Sequence, residues 1–264
     1  MQNRYTADIG DFGKYGLLRD LCSPVDDGSN ARLGVVWYLV PDESHNADGK
    51  FTQYLDSSPK NNHQFRQCDP ELYDALADII HQKDRDVLNI RKSSILPRGT
   101  IFYEEPLTFN DMPANSPEAR RNRFAYRNEW VQGAQSATKD CDFIFVDPDN
   151  GLEAGIKRHM KRGPKYVFFD ELEPYYKRGQ SLIIYHHTSR RGTAEYQIRE
   201  RLAQIDERLN SGGTFALLYH RGSSRAFFVV PSEKHKSILT EKVEHFMQGP
   251  WSRHFTMVRN RWII

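Results

Sequence analysis

Asp142-Phe143-Ile144-Phe145-Val146-Asp147-Pro148-Asp149-Asn150-Gly151 passes from a continuous apolar run straight into two acids set around a proline. A run apolar at every position has no solvent side, so it reads as a strand covered on both faces. Pro148 has no N–H and ends the ladder, turning the chain outward. Asp147 is therefore expected at the rim of a sheet with its carboxylate free, followed by the turn formers Asp149, Asn150 and Gly151.

The same pattern recurs to either side. Leu33 to Val40 is continuously apolar and ends at Pro41-Asp42, and Tyr166–Phe169, Ser181–Tyr185, Thr214–Tyr219 and Ala226–Val230 follow, with Phe255–Val258 as an edge strand. Helical spacing of apolar residues separates them over 70–82, 117–138, 193–209 and 233–247. Strands alternating with helices predict an α/β fold of the Rossmann-like kind, with helices on both faces of a mainly parallel sheet. We expect one domain over 1–264, with polar insertions near 42–69 and 104–117. In such sheets ligands bind beyond the carboxyl ends of the strands, where Asp42 and Asp147 both stand.

Composition narrows the class. The 264 residues are 38% hydrophobic and 27% charged, which suits a folded core rather than a disordered chain. No apolar run is long enough to span a bilayer, the N-terminal residues lack the apolar stretch of a secretory signal, and three scattered cysteines fit a reducing compartment. A cytoplasmic protein is the expectation. Net charge is only +2, but cations cluster at Arg120, Arg121, Arg123 and Arg127, over Lys157 to Lys165, and at Arg190-Arg191. These read as solvated surface or as a face that contacts phosphates. Tyr175 to Gly179 and Arg259-Asn260-Arg261-Trp262 mix basic and aromatic residues in the same spirit.

Asp147-Pro148 after a strand resembles the Asp-Pro-Pro-Tyr signature of class I S-adenosylmethionine-dependent methyltransferases that modify exocyclic amino groups of bases. Asp149 stands for the second proline and Asn150 for the aromatic ring. The resemblance implies that Asp147 and a following carbonyl accept hydrogen bonds from the amino group. Ile9-Gly10-Asp11-Phe12-Gly13-Lys14 is similar to the segment that opens the large-subunit ribosomal RNA adenine methyltransferases of that type, matching at Gly10 and Lys14. It implies a cofactor pocket lined by Lys14, with S-adenosylmethionine as cofactor and a nucleic acid or nucleotide as substrate. Asp42 and Asn46, in the loop after the first strand, are the further cofactor-side candidates. Asp147, Asp149 and Asn150 are the candidates for the acceptor side.

His186 and His187 end the Ser181 strand and are candidates for acid–base work or substrate contact. Neighbouring strand residues face opposite ways, so one of the two is expected at the site. With Asp147, Asp149, Glu153, Asp170 or Glu171, a histidine there supports an alternative, a divalent metal and a nuclease or phosphodiesterase. A non-catalytic module that binds nucleic acid or a partner protein is the third reading. No phosphate-cradling Gly-rich loop and no Gly-x-Ser-x-Gly elbow occurs.

Overall fold

Capping residues and apolar periodicity set the elements of the computed structural model, which describes residues 1–23, 31–43, 49–189 and 192–260. In chain order they are α1 (Ile9–Leu21), β1 (Leu33–Trp37), α2 (Pro59–Asn61), α3 (Pro70–His81), α4 (Leu88–Lys92), β2 (Ile101–Tyr103), α5 (Pro117–Ala137), β3 (Phe143–Asp147), β4 (Gly151–Leu152), β5 (Tyr166–Val167), α6 (Phe169–Lys177), β6 (Ser181–His187), α7 (Ala194–Leu209), β7 (Phe215–Tyr219), β8 (Arg225–Val230), α8 (Lys236–Gln248) and β9 (Phe255–Arg259). Asp8, Asp69, Ser116 and Thr193 cap α1, α3, α5 and α7 through side-chain oxygens that accept first-turn N–H groups. Each such cap stabilises its helix by about 1 kcal/mol.

The main sheet has seven strands in the order β2-β1-β3-β6-β8-β7-β9. Its core β2-β1-β3-β6 is parallel, whereas β8 runs antiparallel to both neighbours and β9 antiparallel to β7. The fold is α/β and Rossmann-like, with a mixed sheet. Alternation along each strand divides two cores. Val35, Phe143, Phe145, Ile183 and Leu217 pack with α1, α3 and α8 on one face. Val36, Ile144, Val146, Ile184 and Leu218 pack with α5, α6 and α7 on the other. Strand order reverses between β1 and β3, and the crevice beyond their carboxyl ends is where such sheets take ligands.

Three boundaries differ from the sequence reading. The first strand stops at Trp37, because Leu39 N–H turns back to the Trp37 carbonyl and Leu39 then bridges to Pro106. The Tyr166 run makes only the two-residue β5, paired with β4 outside the main sheet, since Phe169 already opens α6. The 42–69 insertion, where described, is mostly built of short helical turns rather than open loop. No helix among the described residues is long and apolar enough to cross a membrane.

Candidate functional site

Helix α1 carries the site's first layer. Its N-cap Asp8 accepts from the N–H groups of Gly10 and Asp11, at 2.8 and 3.0 Å, and Asp11 reaches back to Ala7 N–H at 3.0 Å. A Cβ on Gly10 would fall 2.5 Å from the Arg225 guanidinium, and one on Gly13 would fall 2.6 Å from the Tyr219 ring. The missing side chains let α1 lie hard against the sheet, which brings Lys14 over the end of β3.

Lys14 is buried and donates to Asp11 Oδ1 at 2.7 Å and to Asp147 Oδ2 at 2.8 Å. This corrects the expected free carboxylate: Asp147 does stand at the end of β3, but it is only 2% exposed and ion-paired. It faces α1 because it continues the alternation of Phe143 and Phe145. Burial alone would lower the Lys14 pKa, but Asp11 and Asp147 outweigh it and hold the ammonium well above its ordinary value. Burial pushes the Asp11 carboxyl up to about 6, against the pull of Lys14.

Beyond Pro148 the chain folds back. Asp149 Oδ2 accepts from Gln2 Nε2 at 2.9 Å and meets Lys165 Nζ at 3.0 Å. Burial favours the neutral acid, yet the Met1 amine and Lys165 hold the Asp149 carboxyl below its usual range. Its other oxygen, Oδ1, is buried without a hydrogen-bond partner, and the Met1 amine lies 4.0 Å away. That amine donates to the Tyr38 and Asp147 carbonyls, so the N-terminal residue sits in the crevice between β1 and β3. Asn150 is held through its backbone, donating to the Lys165 carbonyl and accepting from His187 N–H.

The two histidines separate. His187 lies on the Asp147 face, with its Nε2 3.2 Å from the Ser223 hydroxyl. His186 points the other way and is buried beside Gly151, where its Nδ1 accepts from Leu152 N–H at 3.1 Å. Burial, with Arg201 and His187 adding to it, drives its pKa down to about 3. Its Nδ1 is taken by the backbone, so of the two candidate histidines His187 is the one on the Asp147 face.

Together these groups wall a cavity of about 270 Å³ lined by Asp147, Pro148, Asp149 and Asn150, by Asp8, Asp11 and Lys14 of the α1 segment, and by Glu43, Lys165, Tyr185, His187 and Arg225. A second cavity of about 480 Å³ shares Asn150 and His187 with it and is lined by His186 as well. Asp42 is not in either lining: it is exposed and accepts from Arg4 N–H, and Glu43 takes its place in the cavity. Asn46 lies outside the described residues, as do Arg190, Arg191, Arg261 and Trp262. Among the described residues no group of three or more His, Cys, Asp and Glu side chains could hold a metal.

The basic clusters also divide. Arg127 is buried against Glu171 and the Gly163 and Tyr166 carbonyls, and Arg123 donates to the His159 and Met112 carbonyls. Arg120 and Arg121 stay exposed. Tyr175 is buried in the α6 core with Arg178 stacked over its ring, so that basic–aromatic stretch is packing.

Sequence reading missed Asp8, Lys165, Tyr185 and Arg225. Asp8-x-x-Asp11 was a readable cap signal. Arg225 had none: its guanidinium, buried and held by Tyr185 and Asp8, reaches the cavity only because β8 pairs with β6. No family model matches the chain, and no curated protein matches it significantly.

Proposed function

We propose that this chain is a methyltransferase-like enzyme that binds S-adenosylmethionine in the cavity beyond β3 and β6 and acts on nucleic acid or a nucleotide. The observation that carries the reading is the charge of the cavity wall. Among the described lining side chains, five carboxylates (Asp8, Asp11, Glu43, Asp147, Asp149) face three cations (Lys14, Lys165, Arg225). Such a wall, with acids and cations side by side, suits a ligand that carries a sulfonium and an amino-acid zwitterion. Asp149, its Oδ1 without a hydrogen-bond donor and 4.0 Å from the Met1 amine, marks the acidic end of the wall, toward which a ligand's ammonium would lie. Lys165 and Arg225 are the groups to receive a carboxylate, and the rings of Tyr5, Phe51 and Tyr185 offer apolar wall.

When bound, the cofactor supplies an activated methyl group. Lys14 holds one oxygen of Asp147, leaving the other to accept a hydrogen bond from the acceptor's amino or hydroxyl group and so orient it. Asn150, with its backbone fixed at both ends, presents its side chain where the two cavities adjoin.

Calorimetry should detect S-adenosylmethionine or its demethylated product binding at roughly −5 to −8 kcal/mol, from low-micromolar to sub-millimolar dissociation constants. Asp149→Asn should weaken that binding about tenfold or more. Asp147→Asn should bind cofactor but lose roughly two to four powers of ten in methyl transfer to RNA or DNA. Absence of heat at millimolar ligand removes the reading, and cofactor binding without transfer to any nucleic acid reduces the chain to a binding module.

A further inference from the structure

The loop that leaves the cavity at Gly151 and returns to it at Lys165 carries an exterior surface of different character. The β4–β5 ladder closes its base, and buried Arg127 clamps it by donating to the Gly163 carbonyl at 2.8 Å and to the Tyr166 carbonyl at 2.6 Å. Farther out, Lys157, Lys161 and Arg162 are exposed, and so is Met160, at 45%. The first turns of α5 lie against this loop. Arg123 donates to the His159 carbonyl at 3.0 Å, and the Phe124 ring, 37% exposed, stands 5.2 Å from the His159 ring. Arg120 and Arg121 share that side of α5, because positions three and four apart meet on a helix surface.

The charges there are concentrated and unspent. Arg158 is neutralised by Asp170, but among the described residues none of Arg120, Arg121, Lys157, Lys161 and Arg162 is ion-paired. Glu118, in the first turn of α5, is the acid on the same stretch. Partial burial, then Arg120, Lys157 and Arg123, hold the His159 pKa below its ordinary value, so its ring is neutral at pH 7. A chain of net charge +2 thus gathers five free cations around one exposed ring, Phe124, and one half-buried ring, His159.

We propose that this surface binds a single strand of nucleic acid, the five cations meeting its phosphates while Phe124 and His159 stack on unpaired bases. The inference names the substrate class of the transferase reading and rests on that reading for its purpose, though not for its binding chemistry. A duplex hides its base faces and has no use for the rings, which is why a single strand is the better fit. The loop's two ends are the cavity residues Asn150 and Lys165, so a bound strand lies one loop from the site.

The test is fluorescence anisotropy of the full chain with short labelled single strands of RNA and DNA, with a duplex, and with anionic vesicles. Five phosphate contacts give a log–log salt slope of about −3.5, roughly a hundredfold loss of affinity between about 50 and 200 mM salt. Reversing Lys161 and Arg162 to Glu should lower the slope by about 1.4 units. Phe124→Ala should weaken single-strand binding roughly five- to a hundredfold and leave duplex binding unchanged. All these positions are exposed, and unchanged circular dichroism verifies the fold. Cofactor calorimetry run alongside separates the two ideas. Strand binding without cofactor heat leaves this surface standing while the transferase reading falls; cofactor heat without salt-dependent strand binding overturns this inference alone. Vesicle binding in place of strand binding, or equal single-strand and duplex affinities unaffected by Phe124→Ala, also overturns it.

Discussion

Replacing Lys14 by Met should destabilise the chain by roughly 3–5 kcal/mol at about pH 7.5, the range for removing one partner from a buried ion pair. Lys14 is buried, with its ammonium 2.7 Å from Asp11 and 2.8 Å from Asp147, and Met fills nearly the same volume. The packing change is then small, and the loss comes from two carboxylates left without their cation. The same chemistry gives the loss a pH dependence. The folded-state pKa of Asp11 is about 6 against an ordinary value of 3.8. A carboxyl raised in this way contributes stability that is fully present below about pH 3.8 and lost as pH rises through about 6. Without Lys14 the folded pKa moves higher still, so the variant recovers ground as pH falls from above 6 toward 4. Urea unfolding reads this directly: with a slope of about 3 kcal/mol per molar, the midpoint should fall by about 1–1.7 M at pH 7.5. At about pH 5 the deficit should shrink to less than half of that. Equal midpoints for variant and wild type at pH 7.5, or the same deficit at both pH values, would refute the reasoning.

His186 works in the opposite sense. Its folded pKa of about 3 lies below the ordinary 6.5, so it contributes stability present above pH 6.5 and lost as pH falls toward 3, up to about 4–5 kcal/mol. His186→Asn keeps an acceptor for Leu152 N–H without the titration, and its urea midpoint should gain on wild type between about pH 6.5 and 4; a constant gap sinks the assignment. Arg127→Met strands the buried Glu171 carboxylate and frees the base of the 153–165 loop, so it should cost about 3–5 kcal/mol. Proteolysis should then nick that loop first, and uniform resistance to protease would show that Arg127 does not hold it.

The fold was legible where burial on both faces makes a strand apolar at every position, as in β3, β6 and β8. It was illegible where tertiary contacts decide. The edge strand β2 has three half-buried residues and no run to read, and α6 begins inside a run that looked extended because Phe168 and Phe169 are apolar. At the site, Asp147, Asp149 and Lys14 could be read because a turn motif and a helix opening mark them. Which histidine faces the cavity followed from strand alternation alone once the strand's position was known. The state of Asp147 could not be read, since its partner Lys14 is 133 residues away. Arg225 meets Asp8 across 217 residues, and no local pattern encodes that contact.

Those distant partners form a consistent set. Asp147 is held by Lys14, Asp149 by Lys165, and Asp8 by Arg225, so each of these three acids is tied to a cation from a separate part of the chain. Buried ion pairs are a poor source of stability, because desolvating the charges offsets most of their attraction. Apolar residues continue β3 as far as Val146, and packing alone would be served by continuing them one position further. Charges begin at Asp147, at the point where strand order reverses. What cross-linked charges provide there is fixed position: each carboxylate is aimed before any ligand arrives, and little reorganisation remains when one binds. The same pairing explains why the wall can be rich in acids without collapsing or flooding. A ligand bearing both signs can meet Asp149 and Arg225 at once, whereas a phosphate must displace a carboxylate from its cation. The cavity wall and the outer loop surface thus differ in charge: acids outnumber cationic side chains in the first, and unpaired cations gather on the second.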